Sequence, residues 1–404
     1  MHRSTWRRMT PIHTARYCRR MYSRKIALFA AVAAALVALA ASSPAYASQR
    51  VHGASARFLT LANQGIRDAR THWWNPGERW YNDRLNDGDR YPLATVWSIV
   101  PLFEAVDGAA IADPAKAKRK AVRSFANFAE RYWNGDLQPH GGYAPYPGDR
   151  GADDHVWFDD NSWWGLAFVD AYRATHNRRY LGDAQRASDF VDARGWQGGS
   201  GGMWWETQYT GHSLEALGAA SALAAEVYEQ GGSAKYRRRA LKYIRWADRN
   251  TTQGDPSQPG FGLYENSAQP IMTYVEGAML GAHLALCRKG DQGACQRAEE
   301  IADSSRSWWP DTLPNFAPQY DSIFFRYLIQ LAAYDHNPQW WDWARQNADA
   351  ARRNARDNSL YLRFWDGSSV TAGQHASLQM RYGQIQTHGA AVALFAWLGA
   401  VQRP

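Results

Sequence analysis

Apolar residues recur at spacings of three and four along most of the chain after residue 52. This spacing places them on one face of a helix, and no stretch alternates between apolar and polar residues persistently enough to indicate a sheet. The pattern predicts twelve helices, near 53–70, 92–106, 114–131, 161–177, 180–194, 211–229, 234–249, 271–287, 291–306, 319–334, 338–356 and 384–401. The chain is therefore predicted to be all-α.

The connections between these helices alternate in length. Those after the odd-numbered helices are long, whereas those after helices 2, 4, 6, 8 and 10 are only a few residues each. Short connections join antiparallel neighbours. Successive antiparallel helices then place every long loop at one end of the molecule, and each long loop leads into the start of an even-numbered helix.

Charge alternates between the same two sets of helices. The even-numbered spans hold 9 charged side chains in 102 residues, whereas the odd-numbered spans hold 36 in 102. A helix that is apolar all round is buried, and one with a charged face lies at the surface. Six inner helices alternating with six outer helices describe an (α/α)6 barrel.

The first 47 residues differ from the rest. Residues 1–25 carry eight Arg or Lys and no acid, residues 26–41 are apolar, and Ala45-Tyr46-Ala47 fits a small-x-small cleavage site. These features are typical of a signal peptide. The alternative is a membrane anchor, but the apolar run is shorter than the roughly 20 residues that a spanning helix needs. We expect secretion, cleavage after Ala47, no membrane span after processing, and a single barrel domain over 48–404.

Removing the leader changes what the charge implies. The chain has 46 basic and 38 acidic residues, and eight of the basic ones lie in residues 1–47, which leaves 38 of each. A near-neutral protein without a long basic patch is not expected to bind nucleic acid. We expect a monomer.

Two cysteines remain after processing, Cys287 and Cys295. Exported proteins meet an oxidising environment, which favours a local disulfide over a pair of buried thiols. The sequence contains no HExxH, CxxC or phosphate-binding Gly-Lys-Ser/Thr motif, so we expect no metal and no organic cofactor.

The long loops are rich in Trp, Tyr, Gly and Asp. Loops on a rigid scaffold commonly carry binding and catalysis. Aromatic faces beside carboxylates suit a sugar, which presents apolar C–H faces together with many hydroxyl groups.

The adjacent acids Asp159 and Asp160 lie where a long loop enters the fourth helix, between Trp157-Phe158 and Trp163-Trp164. Asp is a favoured helix-capping residue, so capping accounts for one of the two. Cleavage of a glycosidic bond usually needs two carboxyl groups, one to protonate the leaving oxygen and one to attack or to activate water. The pair is therefore the candidate catalytic site.

The segment Asp159-Asp160-Asn161-Ser162-Trp163-Trp164 resembles the signature of glycoside hydrolase family 76, which includes endo-α-1,6-mannanases. Three weaker matches follow in order over roughly residues 55–400: Gly201-Gly202-Met203-Trp204-Trp205, Thr273-Tyr274 before Gly277, and Ile323-Phe324-Phe325-Arg326-Tyr327-Leu328. The resemblance implies an (α/α)6 barrel, a retaining mechanism and an α-mannan substrate. It also implies that Asp159 is the nucleophile and Asp160 the general acid/base.

The chain departs from the family pattern at one place. Family members often carry a Lys-Asn pair soon after the Gly-Gly-x-Trp-Trp motif, whereas this chain has Glu206-Thr207-Gln208-Tyr209-Thr210-Gly211-His212-Ser213 there. This difference bears on the sugar subsites and on linkage preference.

Several further residues are candidates for substrate binding. Trp204 and Trp205 follow a Gly-rich turn, and we expect one to stack on sugar and the other to pack on the barrel wall. The remaining candidates lie in the Asp motif, in another long loop, or near the starts of helices 8 and 10: Asn161, Trp163, Trp80, Tyr274 and Asp321. Glu276 lies in an otherwise uncharged helix and needs a partner.

Three other functions remain open. A transglycosylase would use the same covalent intermediate and pass mannosyl units to a sugar acceptor. A carbohydrate-binding barrel without catalysis would not need the intact Asp pair. A polysaccharide lyase usually needs cationic groups or a metal to meet uronates, and these loops are acidic.

Overall fold

The computed structural model describes residues 53–85, 93–368 and 383–404. Within the chain, Arg50–Pro404 forms one compact unit. The predicted signal peptide, residues 1–47, lies outside the described residues.

The described ranges contain twelve α-helices, which we number in chain order. They are α1 Ala54–His72, α2 Val96–Ala112, α3 Lys116–Ala129, α4 Phe158–Thr175, α5 Arg178–Phe190, α6 Leu214–Gly231, α7 Ala234–Asn250, α8 Thr273–Arg288, α9 Gln292–Trp308, α10 Pro318–Asp335, α11 Pro338–Asn354 and α12 Ile385–Ala400. Each corresponds to one predicted helix.

The even-numbered helices form a closed inner ring. Each of α2, α4, α6, α8 and α10 packs against the next even-numbered helix, and α12 packs against α2. Each odd-numbered helix packs outside this ring, as α1 does against α12 and α7 against α6. The predicted (α/α)6 barrel of six inner and six outer helices is confirmed.

Small residues allow the inner helices to approach one another closely. A Cβ atom added to Gly277 of α8 would lie 2.6 Å from the Cα atom of Phe324 in α10. A Cβ atom at Gly389 of α12 would lie 3.1 Å from the backbone nitrogen of Leu102 in α2. Real Cβ contacts are rarely this short, so larger side chains at these positions would push the ring apart.

Two helix starts differ from the predicted positions in ways that affect the site. Helix α2 begins at Val96 rather than near 92, because Thr95 caps it by accepting a hydrogen bond from Ser98 N; Pro92, expected near its start, lies outside the described residues. Helix α4 begins at Phe158 rather than near 161, and Trp157 is its N-cap. Asp159 and Asp160 therefore belong to its first turn.

Three β-hairpins, each made of two-residue strands, lie in the loops that lead into inner helices. Strands β1 Trp74–Asn75 and β2 Trp80–Tyr81 pair in the α1–α2 loop, β3 Trp133–Asn134 and β4 Gly142–Tyr143 in the α3–α4 loop, and β5 Arg356–Asp357 and β6 Leu360–Tyr361 after α11. All three pairs are antiparallel. They brace the loops at the end of the barrel where the inner helices begin.

Cys287 and Cys295 form a disulfide that links the last turn of α8 to the first turn of α9, with Cα atoms 4.6 Å apart. The predicted pairing is confirmed. None of the described helices is both long and apolar enough to cross a membrane.

Charged side chains from four inner helices meet inside the barrel. The guanidinium of Arg326 in α10, which is 0% exposed, pairs with Glu104 of α2 at 2.8 Å and with Asp170 of α4 at 2.7 Å. It also lies 3.8 Å from a carboxylate oxygen of Glu226 in α6, to which Arg173 donates at 2.7 Å. These five charges, contributed by α2, α4, α6 and α10, therefore compensate one another across the ring.

Candidate active site

The first turns of all six inner helices carry a polar or aromatic side chain at the same end of the barrel. These residues are Trp97 of α2, Asp159 and Asp160 of α4, Glu215 of α6, Tyr274 of α8, Tyr320 and Asp321 of α10, and Gln386 of α12. A helix N-terminus has unpaired N–H groups and a positive partial charge, which favours carboxylates nearby. Ring closure therefore brings together acids that lie far apart in the sequence.

The approach to the Asp pair is held by the Gly-Gly-Met-Trp-Trp loop. The backbone N–H of Phe158 donates to Trp205 O at 3.0 Å, and that of Thr207 donates to Val156 O at 3.0 Å. These bonds align the segment before α4 with the segment that contains Trp205. Two of the sequence motifs therefore meet at the pair.

The two carboxyl groups have unequal surroundings. Burial and the charge of Glu215 raise the pKa of Asp159 to about 7, although backbone N–H groups of the turn and the Tyr274 hydroxyl lower it. Burial and the neighbouring charge of Asp159 raise the pKa of Asp160 well above its usual value, and no hydrogen bond offsets this rise. Asp160 is 8% exposed. These surroundings favour the protonated form at Asp160 more than at Asp159.

Tyr274 connects the pair to an aromatic wall. Its hydroxyl oxygen accepts a hydrogen bond from Trp163 Nε1 at 2.5 Å. Its ring lies edge-on to Tyr320 with centroids 5.1 Å apart, and tilted against Trp97 at 5.6 Å. Aromatic rings next to the carboxylates limit their solvation.

Tyr274 is 1% exposed, and three more of the predicted substrate-binding residues are buried in protein contacts. Asn161 is fully buried, and its amide group bonds the backbone N–H and C=O groups of Tyr143 at 2.7 and 3.0 Å. Trp163 is buried behind Tyr274. Trp80 is 1% exposed, and its Nε1 donates to the Tyr132 hydroxyl at 2.7 Å. The first two support the site, whereas Trp80 packs against the outer helix α3 through Phe125 and Phe128.

The two adjacent tryptophans of the Gly-rich loop have different environments. Trp204 is half-buried, with its ring 4.3 Å from that of His212 and edge-on to Tyr209. Trp205 is 45% exposed. The structure thus leaves Trp205 free to stack on a sugar, and its contact with substrate remains a prediction.

Asp321 is bonded within the protein. It is 2% exposed and accepts hydrogen bonds from Thr273 Oγ1 at 2.8 Å and from Phe316 N at 3.1 Å. Burial raises the pKa of Asp321 to about 7. Its contacts tie the α9–α10 loop to the start of α8.

Glu276, for which the sequence required a partner, also bonds inside the protein. Its Oε1 accepts the backbone N–H of Tyr264 at 2.9 Å, and burial raises its pKa to about 8. Its role is to hold the α7–α8 loop.

Glu206 stands where the chain departs from the family pattern. Its buried carboxylate accepts hydrogen bonds from Thr210 N at 2.8 Å, from the backbone N–H of Gln208 and from His155 Nε2 at 3.0 Å. The His155 ring stacks on Trp157, the residue before α4, at 4.1 Å. Glu206 therefore organises the loop beside the Asp pair.

Glu215 belongs to the site but was not among the candidates from sequence. The available signal was an acid in the first turn of an inner helix, the position that singled out the Asp pair. No group of three or more metal-binding side chains occurs among the described residues.

Residues 139–321 match the family model described as glycosyl hydrolase family 76. This stretch contains the Asp pair, both loop tryptophans and Tyr274. The resemblance inferred from the motifs is confirmed. No curated protein sequence matches the chain.

Solved structures of similar fold include three glycoside hydrolases. A family 76 glycoside hydrolase from a bovine Bacteroides thetaiotaomicron strain is 18% identical, with 85% of this chain and 77% of that chain covered and a TM-score of 0.71. A family 76 α-mannanase of Bacteroides thetaiotaomicron is 17% identical, with coverages of 85% and 95% and a TM-score of 0.72. An inactive variant of a Salegentibacter α-1,6-mannanase, with two consecutive aspartates replaced by alanine and α-1,6-mannotetrose bound, is 15% identical, with coverages of 85% and 99% and a TM-score of 0.65. These likenesses agree with the barrel.

Proposed function

We propose that this chain, a glycoside hydrolase resembling family 76, is a retaining endo-α-1,6-mannanase. The observation that carries the proposal is the pair of adjacent carboxyl groups, the half-buried Asp159 and the buried Asp160, at the end of the barrel where the inner helices begin. The Salegentibacter α-1,6-mannanase supports it, because replacing two consecutive aspartates accompanies its inactivity while α-1,6-mannotetrose stays bound.

The unequal surroundings of the pair support a division of the two roles. Asp160 keeps its proton and gives it to the leaving glycosidic oxygen as the bond to the anomeric carbon breaks. Asp159, whose carboxylate is stabilised by N–H groups and by the Tyr274 hydroxyl, attacks that carbon and forms a glycosyl-enzyme. Asp160, now ionised, takes a proton from water as the water releases the sugar with its original anomeric configuration.

The decisive experiment is incubation of the processed protein with linear α-1,6-mannan while NMR follows the products. We expect oligosaccharides of several lengths early in the reaction, because an endo-acting enzyme cuts within the chain. The first reducing ends should be α anomers. Initial β anomers would show inversion, and release of single mannose units alone would show exo action.

Three variants separate the roles of the carboxyl groups. Asp159→Asn should lose nearly all activity on every substrate. Asp160→Asn should lose about 10²–10⁴-fold on mannan, the usual contribution of acid–base catalysis, but much less on an aryl mannoside with a good leaving group. Azide should restore activity to Asp160→Asn and give an α-mannosyl azide as the product. Asp153→Asn, at an exposed acid of the same loop, is the matched control and should behave as wild type.

The same experiment tests the competing functions. Products longer than the substrate would show transglycosylation. Binding of mannan without any cleavage would favour a carbohydrate-binding barrel, and near-native rates in both Asp159→Asn and Asp160→Asn would reduce the pair to a helix cap.

We propose in addition that the protein is secreted after cleavage following Ala47 and acts as a monomer. The basic leader, its apolar segment and the small-x-small site support export. N-terminal sequencing of the protein from culture medium should begin at Ser48, and its mass in solution should be that of one chain. A membrane-bound product that retains the leader would favour the alternative that residues 1–47 form a membrane anchor.

A further inference from the structure

Glu215 is the second residue of α6, the inner helix next to α4. Its Oε2 accepts hydrogen bonds from Ser213 Oγ at 2.8 Å and from the side-chain amide of Gln269. The other end of that amide, Gln269 Oε1, accepts the backbone N–H of Leu214 at 2.7 Å. A residue of the α7–α8 loop thus fixes the Glu215 carboxylate at the start of its helix.

Both of these hydrogen bonds end on one oxygen. Glu215 is half-buried rather than enclosed, so within the described part of the chain Oε1 is left to accept a hydrogen bond from another molecule. No Lys or Arg among the described residues forms an ion pair with this carboxylate, whereas Arg326 or Arg173 pairs with Glu104, Asp170 and Glu226 of the inner helices.

The charge of Glu215 acts on the same groups as the charge of Asp159. Burial, Glu215 and Asp159 raise the pKa of Tyr320 to about 12, and burial and the same two charges raise that of Tyr274. Tyr274 lies in the first turn of α8, which packs against α6, and its ring lies 5.1 Å from that of Tyr320 in the first turn of α10. Glu215, Asp159 and the two phenols therefore lie at the same end of the ring, on four consecutive inner helices.

We propose that Glu215 is a third carboxylate of the active site, which binds substrate by accepting a hydrogen bond through Oε1 from a hydroxyl group of the sugar bound over Asp159. The inference rests on the proposed function, because it assumes that a sugar binds at this end of the ring. It adds a ligand contact on α6, beside the loop in which the chain departs from the family pattern.

The chemistry of the reaction gives this position a purpose. Positive charge develops on the anomeric carbon and ring oxygen in the oxocarbenium-like transition state. A fixed carboxylate nearby stabilises that charge more than it stabilises the neutral substrate, so it lowers the barrier. A hydroxyl bound to the same carboxylate holds the ring in register with Asp159.

A purely structural role makes different predictions. If Glu215 only anchors Gln269 and the α7–α8 loop, then Glu215→Asp, which keeps the charge, should leave the KM for mannan unchanged. If the proposal holds, Glu215→Gln should shift the ionisation of Asp159 and both Glu215 variants should weaken the use of substrate. Glu299→Gln is the matched control, since it removes the same charge from an exposed position on α9.

The first readout needs no substrate. Protein labelled with ¹³C at Asp carboxyl groups is titrated by NMR, and the Asp159 signal is assigned by its absence from Asp159→Asn. We expect its titration midpoint to fall by at least about half a pH unit in Glu215→Gln, because a nearby negative charge disfavours ionisation. The midpoint should not move in Glu299→Gln.

The second readout is the pH dependence of kcat/KM on α-1,6-mannan. Glu215→Gln should lower kcat/KM by about 10- to 100-fold, the usual effect of losing a hydrogen bond to a charged group. The acidic limb of its profile should move to lower pH. Glu215→Asp, which keeps the charge, should keep the wild-type acidic limb while its KM rises.

The outcomes separate the two proposals. A wild-type protein that does not cut α-1,6-mannan defeats the proposed function, while the NMR midpoints still decide whether Glu215 acts on Asp159. A wild-type mannanase whose Glu215→Gln variant matches Glu299→Gln in midpoint, kcat/KM and pH profile would overturn the assignment of Glu215.

Discussion

Replacing the central cation of the barrel should destabilise the protein more than any single surface change. Arg326→Met removes a fully buried guanidinium and leaves its partners Glu104, Asp170 and Glu226 facing one another. Breaking a buried ion pair by removing one partner typically costs about 3–5 kcal/mol. We expect the upper part of that range, because only Asp170 and Glu226 keep a second cation, Arg173.

The loss should depend on pH in a defined direction. Burial and the other acids already raise the pKa of Glu104 to about 7, and Arg326 opposes that rise. Without Arg326 the folded-state pKa of Glu104 rises further above its unfolded value, so the folded state holds a proton that the unfolded state releases. Stability then falls as pH rises between the two values. Arg326→Met should therefore lose more stability at pH 8 than at pH 5.

Denaturant unfolding followed by circular dichroism at both pH values measures the effect. Arg403→Met, which breaks an exposed pair with Asp342, is the control and should leave the midpoint unchanged. Adding Glu104→Gln to Arg326→Met should restore part of the loss, because it removes an unpaired acid. Equal midpoints for wild type and Arg326→Met at pH 8 would refute the reasoning that this cation neutralises the barrel interior.

Three further changes test other contacts. Glu276→Gln keeps an acceptor for the Tyr264 N–H but cannot ionise. Its free energy of unfolding should therefore exceed that of wild type by a few kcal/mol above pH 8 and match it near pH 5. If the two proteins have equal free energies of unfolding at both pH values, the raised pKa of Glu276 is contradicted. Replacing Cys287 and Cys295 by Ser should cost at most about 2–3 kcal/mol, since the closed loop is short, and an unchanged thermal midpoint under oxidising conditions would show that the bond adds nothing. Trp80→Phe should lower thermal stability but leave the KM for mannan unchanged. A raised KM would indicate that Trp80 contacts the substrate.

The barrel could be predicted because two independent patterns agreed. Loop length and helix charge both alternate with the same period, and burial of an uncharged helix follows from the cost of burying charge. The start of α4 was predicted less well. The sequence placed it after the Asp pair, whereas Trp157 takes the N-cap and draws both acids into the first turn.

The aromatic residues of the loops were harder to assign. Trp80 and Trp205 lie in similar aromatic, Gly-containing loops, and composition does not separate them. Trp80 is buried with its N–H bonded to the Tyr132 hydroxyl, and this partner is 52 residues away in the sequence. Glu215 was missed for the same reason, because its nearness to Asp159 exists only when the ring closes.

The fold itself makes the two adjacent carboxyl groups unequal. Neighbouring residues of a helix point in directions about 100° apart, so two acids in one turn meet different surroundings. Asp159 meets N–H groups, the Tyr274 hydroxyl and the charge of Glu215, whereas Asp160 meets apolar burial and the charge of Asp159. A retaining glycosidase needs this difference, one carboxyl protonated and one ionised. The proposed division of labour therefore follows from the position of the helix start relative to the ring, so the N-cap at Trp157 bears on the proposed chemistry as well as on the fold.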